Sequence, residues 1–175
     1  MKYGIYLAIG LFCLCIGPVH AQNTPELDQL EAKVSRHLES QMVGWAHKRG
    51  EPIQGSRNVL VEHWSWSNRV ITISILPQKS AQAVREKMQS FVRITPEAQE
   101  LKGFGDEAYS WGYEGSNVVF RKGRVAVFVS TVAAVDADPD ARALSRSEKT
   151  ARMIAEMRRL SQEFAKHVAN SLDGP

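Results

Sequence analysis

Apolar side chains recur every three or four positions in three segments of the chain, which is the pattern of a helix with one buried face. The first segment opens with Thr24-Pro25-Glu26, which offers an N-cap, a proline at the first helical position and an acidic side chain at the positive end of the helix dipole. The pattern predicts a helix that fades between Gly44 and Gly50. Its buried stripe is Leu27, Leu30, Val34, Leu38 and Met42.

The same period predicts two further helices. Ser80 can cap the second helix, which closes around Val92. Ser145 and Glu148 form a capping box at the start of the long third helix. One more helical turn could begin at Thr95-Pro96-Glu97. The apolar stripes are Ala81, Val84, Met88 and Phe91 in the second helix, and Ile154, Met157, Leu160, Phe164, Val168 and Leu172 in the third.

Between these helices, apolar and polar residues alternate as they do in half-buried strands. The clearest case is the run of three isoleucines between positions 71 and 75, which alternate with threonine and serine. Short polar segments at 67–69 and 121–124 each separate two neighbouring runs and suit hairpin turns. The five predicted strands cover about 58–66, 70–76, 107–112, 118–120 and 125–129.

These elements predict the fold class. Their order is α-β-β-α-β-β-β-α, with no internal repeat and no linker long enough to divide the chain into domains. Strands in adjacent pairs and triplets favour antiparallel hairpins. We therefore expect one α+β domain, an antiparallel sheet of about five strands with helices packed on it.

The first 21 residues have the layout of a cleavable secretory signal peptide. Lys2 precedes an apolar run from Ile5 to Ile16, and Val19-His20-Ala21 offers small residues for a peptidase that cuts before Gln22. The apolar run is too short for a membrane anchor, and bulky residues before the cysteines at 13 and 15 argue against lipid attachment. We expect residues 22–175 to be exported as one domain, periplasmic or secreted, with no membrane span.

Cleavage would also remove both cysteines, so that disulfides, thiolate metal ligands and cysteine catalysis are excluded from the mature chain. Its 21 basic residues against 19 acidic ones leave a net charge of +2 with the signs interspersed. That balance argues against a nucleic-acid partner.

Two motifs match cofactor or metal sites only in part. Gly103 to Ala108 fits the letters G-x-G-x-x-A of a dinucleotide site, but here a helix precedes the glycines and a strand follows them, the reverse of what that site needs. We expect the glycines to supply a positive φ for a turn, and we expect no cofactor. Asp136, Asp138 and Asp140 alternate like calcium ligands, yet Ala141 stands where the loop needs glycine. A solvated acidic loop is the simpler interpretation.

Histidines and serines give no local site either. The four mature histidines, at 37, 47, 63 and 167, lack the spacing that places two imidazoles on one helix face, so we expect no metal. No serine lies in a G-x-S-x-G elbow. A Ser-His-Asp triad assembled only by folding stays open as an alternative.

Aromatic residues form the most informative pattern. Trp64 and Trp66 share one face of a predicted strand, and Tyr109, Trp111 and Tyr113 share one face of another. Such rings either pack under a helix or, if exposed, offer a flat surface with a polar edge to a sugar, a lipid headgroup, a hydrophobic ligand or a protein. Trp45 could join the same cluster.

The segment from Gly103 to Tyr109, followed by the segment from Asn117 to Val125, resembles a recurring piece of small exported bacterial domains. In those domains a G-x-G-D-E-A turn precedes a V-x-F-R-K-G hairpin. The order of elements also resembles the PsbP-like α/β/α sandwich of exported lipoproteins and photosystem accessory proteins. The resemblance implies a sheet with helices on its faces and a non-enzymatic role, and it carries over no catalytic residue.

The sequence therefore favours an exported, non-enzymatic binding or accessory protein whose ligand-binding residues are Trp64, Trp66, Tyr109, Trp111 and Tyr113. The partner would be an unknown small molecule or an envelope protein. Two alternatives stay open. One is an exported hydrolase with a site assembled in three dimensions, and the other is an envelope-assembly protein that presents its first and last helices to a partner.

Overall fold

The computed structural model describes residues 25–51, 58–135 and 138–173. The expected signal peptide, its cleavage site and Thr24 therefore lie outside the described residues, as do Asp136 and most of the loop at 51–56. No helix in the described ranges is long and apolar enough to cross a membrane.

The described residues form three α-helices and seven strands, so the α+β class with an antiparallel sheet is confirmed. The expected count of about five strands and the expected order are wrong, because the observed order is α-β-β-β-α-β-β-β-β-α. Two short 3-10 turns cover Tyr113–Gly115 and Pro139–Ala141. The elements are α1 (Pro25–Gln41), β1 (Ala46–Arg49), β2 (Leu60–Trp66), β3 (Arg69–Pro77), α2 (Ala81–Ile94), β4 (Gln99–Glu100), β5 (Glu107–Trp111), β6 (Asn117–Lys122), β7 (Val125–Ala133) and α3 (Arg146–Leu172).

The two additional strands are short edge strands. After α1 the chain turns at Gly44, where φ is +86°, and β1 pairs with β2 in the segment expected to be fading helix. β4 consists of Gln99 and Glu100, which pair with β5 just after the expected helical turn at 95–97. Both strands exist because a partner strand lies beside them, and a local pattern cannot report that.

All seven strands lie in one antiparallel sheet, in the order β1-β2-β3-β7-β6-β5-β4. One core cluster joins α1, α3 and one face of the sheet, and a smaller cluster joins α2 to the opposite face. Helices thus cover both faces. β3 and β7 lie at the centre, and the main core lies between them and α3.

The local patterns place side chains as expected. Ile71, Ile73 and Ile75 are completely buried under α1 and α3. In the helices the expected stripes are buried or half-buried, except that Ala81 is exposed because it lies in the first turn of α2, before that helix meets the sheet. The capping box of Ser145 is present, with its hydroxyl accepting a hydrogen bond from the Glu148 backbone amide.

Candidate functional site

The aromatic residues singled out from the sequence lie on two different faces of the sheet. Trp64 belongs to the core under α1 and α3, and Trp66 follows it on the same side of β2. Tyr109 and Trp111 pack on the opposite face, against the cluster beneath α2. These rings therefore do not form one aromatic face, because Trp64 and Trp66 lie on the side of β2 that faces α1 and α3, whereas Tyr109 and Trp111 lie on the side of β5 that faces α2.

Their exposure also differs. Trp64 is completely buried, so its ring does not reach the surface. Tyr109 and Trp111 are half-buried, and the Trp111 ring meets Phe91 edge-on with ring centroids 5.0 Å apart. Burial, with a hydrogen bond to Glu107, raises the pKa of Tyr109 above its ordinary value. Trp64, Tyr109 and Trp111 therefore pack in or against the core.

Tyr113 and Trp66 are the two exposed members of the set, with 69% and 50% of their surface accessible. Tyr113 does not continue the strand as expected, because the chain turns at Gly112, where φ is +77°, and places Tyr113 in a 3-10 turn. Of the four tryptophans, Trp64 is buried, Trp45 and Trp111 are half-buried, and Trp66 is the most exposed.

Most of the exposed large apolar side chains lie at one end of the molecule. The strand register places five strand termini at the same end of the sheet: the end of β2, the start of β3, the end of β7, the start of β6 and the end of β5. We call this end of the sheet, together with the turn after α1, the tryptophan end. Its exposed apolar residues are Val43, Trp66, Val70, Tyr113 and Val132. These residues do not form one patch, because Trp66 lies on the side of the sheet that α1 and α3 cover, whereas Val70 and Val132 lie on the side that α2 covers.

Within the tryptophan end, the Trp66 ring is held by its neighbours. The ring of Trp45 lies 6.1 Å from it between centroids, and Trp45 itself packs edge-on against Phe164 of α3 at 4.9 Å. The guanidinium carbon of Arg69 lies 5.2 Å from the Trp66 ring centroid, a cation–π distance. Trp45 thus packs with Trp66 on the side of the sheet that α1 and α3 cover. The indole is held in place and still half exposed.

Arg69 connects Trp66 to a network of charged groups on α3 and the segment before it. Its Nε donates to Glu156 at 2.8 Å and its Nη2 donates to Asp138 at 3.1 Å. The side chain is largely buried, and these carboxylates, Glu156 first, raise the pKa of Arg69 above its ordinary value. Sequence reasoning missed Arg69, although it lies two residues before Ile71 and therefore on the same, inward side of β3.

A cavity of about 220 Å³ lies beside this network. Arg152 pairs with Asp140 at 2.9 Å, and Arg159 donates to Glu156 at 3.0 Å. The Arg159 hydrogen bond, followed by that of Arg69, keeps the pKa of Glu156 below its ordinary value. The residues around the cavity are Arg69, Val135, Arg152, Ala155, Glu156 and Arg159. Three guanidinium groups and one carboxylate thus lie at its wall, and each guanidinium is paired with a carboxylate.

The acidic loop contributes to this network. Asp138 pairs with Arg69, and Asp140 pairs with Arg152, while Asp136 lies outside the described residues. Their oxygens therefore face guanidinium groups. Throughout the described ranges, no group of three or more histidine, aspartate, glutamate or cysteine side chains is arranged to hold a metal ion.

The most unusual buried group is Glu62, whose side chain is fully inaccessible on the inward face of β2. It accepts hydrogen bonds from Ser35 Oγ at 2.7 Å and from Trp64 Nε1 at 3.2 Å. His47 stacks on the Trp64 ring, and its Nε2 lies 3.6 Å from Glu62 Oε2. Burial raises the pKa of Glu62, whereas its hydrogen bonds and His47 lower it.

This cluster is where a serine, a histidine and a carboxylate do meet, as the hydrolase alternative requires. Their order differs from that of a catalytic triad, because Ser35 donates to Glu62 rather than to a histidine. Ser35 and Glu62 are both buried. The arrangement holds α1 on the sheet, and its serine is buried away from the surface where a substrate would bind.

The glycine motif is structural. Gly103 and Gly105 have φ values of +86° and +66°, which confirms the expected turn. A Cβ on Gly105 would overlap the carbonyl oxygen of Arg121. Asp106 accepts hydrogen bonds from the Arg121 guanidinium at 2.7 Å and from the Gly123 amide at 2.8 Å. The motif therefore fastens the turn before β5 to the hairpin between β6 and β7.

Comparison with known proteins gave no matching family model, no matching curated protein and no matching solved structure.

Proposed function

We propose that this protein is an exported, non-enzymatic binding or accessory protein that uses the tryptophan end as its contact surface. The observation that carries the proposal is Trp66, a large aromatic side chain that is half exposed yet held by Trp45 and Arg69. An immobilised aromatic ring loses little conformational entropy on contact and offers a large area, which is why such rings dominate binding sites.

Export is supported by the charged and apolar layout of residues 1–21. A non-enzymatic role is favoured over the hydrolase alternative because the serine that meets a histidine and a carboxylate, Ser35, is buried and bonded to Glu62. The envelope-assembly alternative would use α1 and α3, but their apolar stripes are turned into the core. The tryptophan end is the better supported contact surface.

Acrylamide quenching of tryptophan fluorescence tests the proposal on the mature chain. Because Trp66 is the most exposed of the four tryptophans, Trp66→Phe should remove the most readily quenched part of the emission. Wild-type protein is then quenched in the presence of neutral oligosaccharides, anionic and zwitterionic vesicles, or unstructured peptides. We expect one of these classes to protect Trp66 from acrylamide.

Ile94→Ala is the matched control, because Ile94 is an equally exposed apolar residue on α2, across the sheet from Trp66. It should bind the protecting class as wild type does, whereas Trp66→Ala should not, as measured by equilibrium binding. If no class protects Trp66, or if both variants bind like wild type, the tryptophan end is not a binding surface and the proposal fails.

A further inference from the structure

The cavity beside Arg69 has the size of a small polar ligand. Its volume of about 220 Å³ lies below the range of roughly 300–1,000 Å³ usual for drug-sized ligands. At about 30 Å³ per water it corresponds to roughly seven water molecules, which is the scale of one sugar ring. A lipid chain or a nucleotide would exceed it.

The charges around the cavity favour a neutral ligand. Arg69 and Arg159 both bond to Glu156, and Arg152 bonds to Asp140. An anion would have to displace these carboxylates from their guanidinium partners, at the cost of charge-assisted hydrogen bonds. A hydroxyl group can accept from a guanidinium and donate to a carboxylate without displacing either. The wall therefore suits a ligand with several adjacent hydroxyl groups.

Trp66 supplies the complementary apolar surface. Arg69 lines the cavity and its guanidinium lies over the Trp66 ring, whereas Trp66 itself does not line the cavity. Only a ligand of more than one ring would therefore reach from the cavity to the exposed part of the indole. The C–H face of a sugar ring packs on an aromatic ring, while the hydroxyl groups at its rim remain free for polar partners.

We infer that the tryptophan end binds a neutral glycan, with one sugar ring in the cavity between Arg69, Arg152 and Arg159 and the adjoining ring against Trp66. This inference rests on the proposed binding function and names its ligand class.

Isothermal titration of the mature protein with maltotriose, cellotriose, chitotriose and xylotriose tests the inference. At least one trisaccharide should bind, and Trp66→Ala should weaken its binding about tenfold, the factor that ~1.4 kcal/mol represents. Arg159→Ala should weaken it as well. Arg158→Ala is the matched control, because Arg158 lies one position away on α3 but bonds to Glu114 instead of lining the cavity. It should bind within about twofold of wild type.

Binding of sodium sulfate is measured in the same way, and the results are compared with the protection of Trp66 by vesicles and peptides in the quenching experiment. If none of the four trisaccharides binds while vesicles or peptides protect Trp66, the glycan inference fails and the binding function stands. If sulfate binds more tightly than every trisaccharide, the neutral-ligand argument is wrong. Equal weakening by Arg158→Ala and Arg159→Ala would place the glycan elsewhere. If nothing protects Trp66, the inference and the proposed function fail together.

Discussion

Replacing Glu62 by glutamine should stabilise the protein at neutral and basic pH. The Glu62 carboxylate is fully buried, and its two hydrogen-bond donors, Ser35 Oγ and Trp64 Nε1, are neutral groups. A buried charge is costly, and His47, whose Nε2 lies 3.6 Å from Glu62 Oε2, is beyond hydrogen-bonding distance. The amide is nearly the same shape, its oxygen can accept from Trp64, and its NH₂ can donate to Ser35 Oγ, whose hydroxyl rotates to accept.

The sign of the pH dependence follows from the raised pKa of Glu62, whose ordinary value is 4.5. The folded state holds this proton more tightly than the unfolded chain does. Wild-type protein therefore keeps the full contribution of protonated Glu62 below about pH 4.5 and loses it as the pH rises through the folded-state pKa. Glu62→Gln carries no such dependence. Its advantage should be near zero at pH 4 and about 1–3 kcal/mol at pH 8.

Urea unfolding followed by far-ultraviolet circular dichroism at pH 4, 6 and 8 measures this difference without relying on tryptophan. Glu39→Gln is the control, because Glu39 is a mostly exposed carboxylate that faces the other ring nitrogen of His47. Its free energy of unfolding should stay within about 0.5 kcal/mol of wild type. A Glu62→Gln protein that is less stable than wild type, by a deficit that grows with pH, would mean that ionised Glu62 is net stabilised by His47 and would refute the reasoning.

Two further predictions concern the glycine motif and export. Gly105→Ala should lower the free energy of unfolding by about 3 kcal/mol, because it combines a positive φ with an overlap at the Arg121 carbonyl. Gly103→Ala should lower it by only ~1–2 kcal/mol, because its φ is also positive but its Cβ would meet open space. Urea midpoints compare the two, and equal losses would contradict the packing argument. When the full-length chain is expressed in a secreting host, mass spectrometry of the exported protein should give the mass of residues 22–175, which begin at Gln22. Recovery of the uncleaved chain, with Met1 intact, from the cytosol would overturn the export proposal.

The sequence by itself determined the elements whose signals are local. Alternation fixed the inward phase of β3 through Ile71, Ile73 and Ile75, and the capping box fixed the start of α3 at Ser145. The turn at Gly103 and Gly105 could also be predicted from the sequence, because a positive φ depends on the residue and its immediate neighbours. Periodicity and capping act within a few positions, so one segment suffices to reveal them.

Contacts between distant segments were decided only by the tertiary structure. The alternation of Trp64 and Trp66 showed that they share a face, but not that α1 and α3 cover Trp64 and leave Trp66 half exposed. Arg69 meets Asp138 and Glu156 across 69 and 87 positions of sequence. β1 and β4 exist because a neighbouring strand lies alongside them. Burial and pairing depend on what the fold places against a residue, and this is why the candidate site at Trp66 could be named in part but not assembled from the sequence.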